Sequence, residues 1–281
     1  MTPLVATAVL VAALTHASWN AIAHGIKDQL LAFTLVGGGG ALCAAALAPF
    51  AALPRAAAWP YLIASVLVHL AYQYLLMRSF QLGDFGQVYP IARGIAPLAV
   101  TVLAAVFVHE RPGGWQTAGV LVASAGLGGV ALWGMRGRTP NWPALAAAAG
   151  TGLTIAGYTV VDGVGVRDSG TSLGYICWLL LMQGLVVPVV ALTARRGELF
   201  AQLRPVAVRG LFGGALSITA YGLVLWAQTR ADLAPVAALR ETSIIAGAAI
   251  GALFFKEHFG RPRMVAAALV VAGIGLMLHA G

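Results

Sequence analysis

Two arginines stand inside the most apolar parts of this sequence: Arg93 in VYPIARGIAPLAV and Arg240 in VAALRETSIIAGA. A guanidinium stays charged at any physiological pH and presents a planar fork of N–H donors, so it grips a carboxylate or phosphate with two parallel bonds. In hydrocarbon it costs about 2.5–3.5 kcal/mol or more at a helix centre, so it either snorkels to an interface or faces a polar interior. The twin placement points to the interior, with both guanidiniums aimed at an anionic solute. Glu241 follows Arg240, whereas Gly94 holds the matching place beside Arg93. Glu241 can neutralise an arginine or carry a proton in a coupled cycle, and Asp162 is a second candidate for that coupling role.

Aromatic and polar residues gather at helical spacing around these charges. His16, Trp19 and Asn20 lie three and four residues apart, as do His69, Tyr72 and Gln73, Tyr158 with Asp162, and Ser217 with Tyr221. Such spacing puts each set on one side of a helix. Tyr89, one turn before Arg93, belongs with them, and Trp178 lies deep in its own segment. Together they suit a substrate-binding wall, apolar in body with polar tips, although packing is the alternative for each histidine, tyrosine and tryptophan. Catalysis is not indicated: HExxH, GxSxG and P-loop patterns are absent, so no catalytic residue, nucleotide or other cofactor is assigned. Cys43 and Cys177 lack metal-ligand spacing and read as packing residues, so no metal is assigned either.

The elements that must position these side chains follow from composition. The 281 residues are 60% hydrophobic and only 9% charged, against roughly 25% charged in soluble domains. Most of the surface therefore faces lipid. The net charge of +8 is scattered through the gaps between apolar segments rather than clustered on a face, which argues against a nucleic-acid partner. Segments of about 20 residues are needed to cross the bilayer, and ten are legible: 3–23, 30–52, 58–80, 86–108, 115–134, 143–161, 171–194, 205–228, 233–255 and 262–279. The first lacks the basic flank of a cleaved signal and is expected to remain as a helix. Pro90, Gly94 and Pro97 are expected to break the fourth span beside Arg93. The run of glycines at 37–40 predicts close helix packing.

The two halves are related. Laying ARGIAPLAVTVLAAVFVHE over LRETSIIAGAAIGALFFKE aligns Arg93 with Arg240 and Glu110 with Glu257, and carries Gly126 onto Gly273. A looser match pairs Trp19 with Tyr158. Because each half has an odd number of spans, the second copy must be inverted in the membrane. Gaps on the side of the termini hold Arg55, Arg111, Arg167 and Arg230. Those on the other side hold Lys27, Arg78, Arg136, Arg138, Arg195, Arg196, Arg204, Arg209, Lys256, Arg261 and Arg263. The positive-inside rule then predicts that both termini are outside the cytoplasm. Glu110 and Glu257 end their spans where the helix dipole disfavours negative charge, so an arginine or a set of helix-start amides is expected to compensate.

Ten spans in two inverted halves, YPIARGIAP followed by HE, and ALRETS followed by KE together resemble the drug/metabolite transporter superfamily, in its EamA-type ten-helix branch. The resemblance implies an all-α integral membrane protein, with residues 1–138 and 139–281 as two inverted five-helix EamA-like repeats around a central cavity. It also implies alternating access in a bacterial inner membrane, with export of small metabolites such as amino acids; the branch that exports aromatic amino acids is among the similar members. Expected partners are a small-molecule substrate and the lipid bilayer, with the chain as monomer or homodimer. Transport of a more anionic metabolite, such as a phosphonate or dicarboxylate, and an anion channel are the alternatives that two arginines leave open.

Overall fold

The computed structural model describes residues 1–83, 85–134, 140–246 and 261–279, and among them the chain is helical with no strand. The helices are α1 (Pro3–His24), α2 (Gln29–Leu47), α3 (Trp59–Leu82), α4 (Phe85–Leu103), α5 (Gly114–Gly134), α6 (Trp142–Asp168), α7 (Ser172–Gly184), α8 (Val186–Arg195), α9 (Leu199–Leu203), α10 (Ala207–Gln228), α11 (Leu233–Arg240) and α12 (Arg261–His279). Among the described residues, six helical stretches are long and apolar enough to cross a membrane, and the last of them, Ser172–Gln228, is 57 residues long. At 1.5 Å per residue that stretch exceeds one bilayer crossing, and Leu185 and the short turns after Arg195 divide it. Large apolar side chains stand outward, Phe50 and Val208 among them, as a lipid-facing surface requires.

Local chemistry sets the helix starts. Thr2, Asp28, Asn141 and Thr171 each accept a backbone N–H of the first turn, and prolines stand at the first positions of α1, α3 and α6. Small residues set the crossings. A Cβ on Gly119 of α5 would come within 2.4 Å of the Gly273 carbonyl of α12, and one on Gly184 of α7 within 2.6 Å of the Gly37 carbonyl of α2. Gly214 of α10 meets the Gly39–Gly40 backbone of α2 as closely, so the glycine run is a packing surface for two helices at once. Cys43 and Cys177 are free and pack in one apolar cluster.

The loops gather at two ends. At one, the Arg55 N–H donates to Ser169 O (3.0 Å), and Arg167 reaches Glu110, Gln228 and Ala231. At the other, the Asn141 side chain donates to Leu82 O (2.6 Å) and Arg195 pairs with Asp28 (2.5 Å). These contacts never mix the two sets of gaps distinguished by charge.

One expectation is corrected. α4 remains an α-helix through Pro90, Gly94 and Pro97 and changes only at its end, where Ala104–Val108 winds into a π turn before His109 at φ 59°. A proline deletes a single bond from the ladder, and the packing of α4 against α5, α6 and α11 holds the helix across it. The interruption comes after α11 instead. α11 stops at Arg240, and the N–H groups of Glu241 and Thr242 bond three residues back, to Ala238 O and Leu239 O at 3.1 Å each, before helical turns resume at Ser243.

Candidate substrate site

The site is built around α11, every residue of which is buried. Val236 and Leu239 pack on α1 and α10, Ala234 and Ala237 on α4 and α6, and Ala238 on Val120 of α5 and Met277 of α12. Small side chains let so many neighbours approach one short helix. Glu110, beyond the end of α4, accepts the Leu233 N–H at the start of α11 (2.7 Å), while Asp232 itself makes no capping bond. A carboxylate at a helix N-terminus is favoured by the dipole. Its other oxygen takes Arg167 at 2.6 Å. The arginine expected to compensate Glu110 is thus Arg167, and the amide comes from α11 rather than from the next helix in sequence. Glu257 lies outside the described residues.

At the opposite end of α11 the chain places Arg240 and Glu241 side by side and sends them to different partners. Arg93 Nε lies 2.9 Å from Glu241 Oε2, an ion pair not aligned as a hydrogen bond, and Arg93 Nη2 donates to Ser243 Oγ at 2.5 Å. Arg93 is 4% and Glu241 1% exposed, so neither snorkels to water. Glu241 and Ser243 both sit at the interruption after α11. A buried ion pair recovers its desolvation cost only with such supporting bonds.

Arg240 is served differently. Its Nη2 donates to Tyr158 Oη at 3.4 Å, its guanidinium lies 6.0 Å from the Tyr158 ring centre, and its Nε has no hydrogen-bond partner among the described residues. The residue is 5% exposed. Tyr158 stacks on His69 with ring centres 4.0 Å apart and planes 20° from parallel. Tyr72 and Tyr221 meet this stack edge-on, Tyr72 at 5.6 Å from Tyr158 and Tyr221 at 5.7 Å from His69. His69 Nδ1 lies 2.9 Å from the Ser65 carbonyl oxygen and 3.1 Å from Ser65 Oγ. Behind the rings, Asp162 is fully buried; it accepts Tyr175 Oη at 2.9 Å and a shorter bond from Tyr221 Oη. Hydroxyls rather than a guanidinium satisfy this carboxylate.

The remaining candidates fall at the margin. On α1, Trp19 Nε1 donates to His16 Nδ1 (3.3 Å) and Asn20 Nδ2 to His16 O (2.8 Å), so Asn20 and Trp19 are engaged within their own helix. His16 is within electrostatic range of both Arg93 and Arg240. Trp178 meets Trp59 at 5.2 Å in the apolar cluster that holds the two cysteines. The side chain of Tyr89 lies outside the described residues. Sequence reasoning missed Ser243, Ser65 and Tyr175. Ser243 was visible in LRETS and Ser65 one turn before His69, but Tyr175 is joined to Asp162 only by the α6–α7 packing. Chemically the arrangement offers one buried guanidinium with donors to spare, beside an aromatic wall of Tyr158, His69, Tyr72 and Tyr221.

Residues 142–279 match the model of the EamA-like transporter family. A solved structure described as "Crystal structure of protein" aligns with 99% of this chain and 97% of its own, at a TM-score of 0.69 and 17% identity, which shows a shared fold. A search of curated proteins returns no match.

Proposed function

The chain is a member of the EamA-like transporter family, and from that premise we propose that it is a secondary transporter of small carboxylate-bearing metabolites such as amino acids, working by alternating access. It is a multi-pass membrane protein of a family of small-molecule transporters, not of enzymes. The observation that carries the reading is Arg240: a buried guanidinium, without a carboxylate within ion-pair distance among the described residues, whose Nε lacks a partner. A buried cation is stable only when paired, and a substrate carboxylate supplies the pair. Tyr158, His69, Tyr72 and Tyr221 then contact the body of the substrate, with His16, Trp19, Asn20, Trp178 and Tyr89 as its outer margin. Asp162 remains the acid available for coupling, because Glu241 is already paired with Arg93.

In this reading ten spans form two inverted repeats, 1–138 and 139–281, in a bacterial inner membrane with both termini periplasmic. Two features support it. α3 packs along α6 and α1 along α10, and these pairs exchange when the halves are swapped. The loops also meet at two ends that match the division of charge. Export is the direction proposed; rocking of one half against the other exposes Arg240 to each side in turn.

The test is uptake of labelled amino acids and organic acids into proteoliposomes of the purified protein. Saturable, competable flux that Arg240→Gln abolishes, with thermal stability retained, is the expected result. Non-saturating current would indicate an anion channel. Normal transport by Arg240→Gln would remove the guanidinium from the site.

A further inference from the structure

Two inward arginines suit a substrate with two negative groups, yet one of them already holds a carboxylate. Glu241 sits against Arg93 at 2.9 Å, both side chains are buried, and Ser243 fixes the same guanidinium from two residues further on. Glu241 stands at the interruption after α11, where the backbone bonds of Glu241 and Thr242 shorten to three residues, and it and Arg240 take different partners. The matching position in the first half is Gly94, which has no side chain to offer Arg240 in return. A Cβ there would stand 3.1 Å from Leu127 Cβ, so any side chain at that point would have to push against α5.

We infer that Glu241 is the charge selector of this transporter: it fills the Arg93 fork as an internal carboxylate, so that the substrate brings one anionic group, to Arg240, and dianions are excluded. The inference rests on the transport reading above and names the substrate class within it. Exclusion works through repulsion. A second anionic group directed at Arg93 meets the Glu241 carboxylate, and displacing Glu241 would leave a buried charge unpaired. Arg93 acts on the substrate only through Glu241.

Three variants test it, each assayed in proteoliposomes with a labelled monocarboxylate, a dicarboxylate and a phosphonate, and with thermal unfolding as a check on the fold. Glu241→Gln is expected to raise the dicarboxylate-to-monocarboxylate flux ratio by about tenfold or more, because Arg93 becomes available. Arg93→Gln is expected to lose carboxylate transport, since Glu241 then pairs with Arg240 or repels the substrate. Arg93→Gln/Glu241→Gln removes both members, leaves no buried charge unpaired and is expected to recover monocarboxylate flux. That rescue decides the matter even if Glu241→Gln does not fold. An unchanged flux ratio in folded Glu241→Gln, or no rescue by the double variant, overturns the selector role while leaving the transporter. Wild-type liposomes without carboxylate flux overturn both.

Discussion

Asp162 and Arg240 show how differently two buried charges can be held a short distance apart. Asp162 is held by hydroxyl donors from α7 and α10, and removing one takes a hydrogen bond from a buried carboxylate. Tyr221→Phe is therefore expected to lower stability by about 1–3 kcal/mol, read as a reduced thermal midpoint in detergent. Tyr158 touches Arg240 only at 3.4 Å, while its ring is locked on His69. Tyr158→Phe should accordingly leave stability nearly intact and raise KM severalfold, because the hydroxyl helps to orient the guanidinium rather than to hold the fold. A Tyr158→Phe protein with unchanged KM and a lowered thermal midpoint would reverse that assignment. The candidate residues were legible as types and spacings. Their partners were not: Glu241 could equally have faced Arg240, its neighbour in sequence, and only the turn after α11 sends it to Arg93.

α11 is the element on which the site depends, and it is anchored at both ends by the segment that contains α4. Glu110 caps its first turn and binds Arg167, while Arg93 holds the residues just past its last. Glu110→Gln keeps the shape and loses the charge on both contacts. A loss of about 1–3 kcal/mol is expected, with Arg167→Gln losing a similar amount and the double variant less than the sum, which a double-mutant cycle by thermal unfolding would measure. Crossings obey a harder constraint. Gly119 and Gly273 face each other with carbonyl contact on both sides, so Gly119→Ala should separate α5 from α12 and cost about 1–3 kcal/mol. An alanine tolerated without change in thermal midpoint would mean that the helices shift without penalty.

At the scale of the whole molecule, the division of loop charge makes a topological prediction. Cysteines introduced singly at Arg195 and Arg55, in a background lacking Cys43 and Cys177, should react with a membrane-impermeant maleimide from opposite faces of the membrane. Arg195→Cys is expected to label only when the cytoplasmic face is open, and Arg55→Cys from the outside of intact cells. The contacts of Arg195 with Asp28, and of Arg55 with Ser169, already assign them to different ends. Labelling of both from one face would overturn the proposed inverted arrangement of the halves.

The sequence by itself determined the membrane class, the apolar spans and the oddity of paired arginines, because hydrocarbon tolerates so few charges that each one stands out. It located the helix ends to within a few residues for most spans, since caps, prolines and charge fall where apolar runs stop. It misjudged where a helix would be interrupted. Prolines in α4 are visible in the sequence, yet packing carries that helix through them, and the stretch between Pro235 and Gly247 contains no breaker and is interrupted nonetheless. Such an interruption arises from long-range demands, the pull of Arg93 on Glu241 and Ser243, which no local pattern encodes. Only the tertiary structure decided which arginine is satisfied from within and which keeps its donors free, because that depends on which side chains the helix crossings bring within 3 Å.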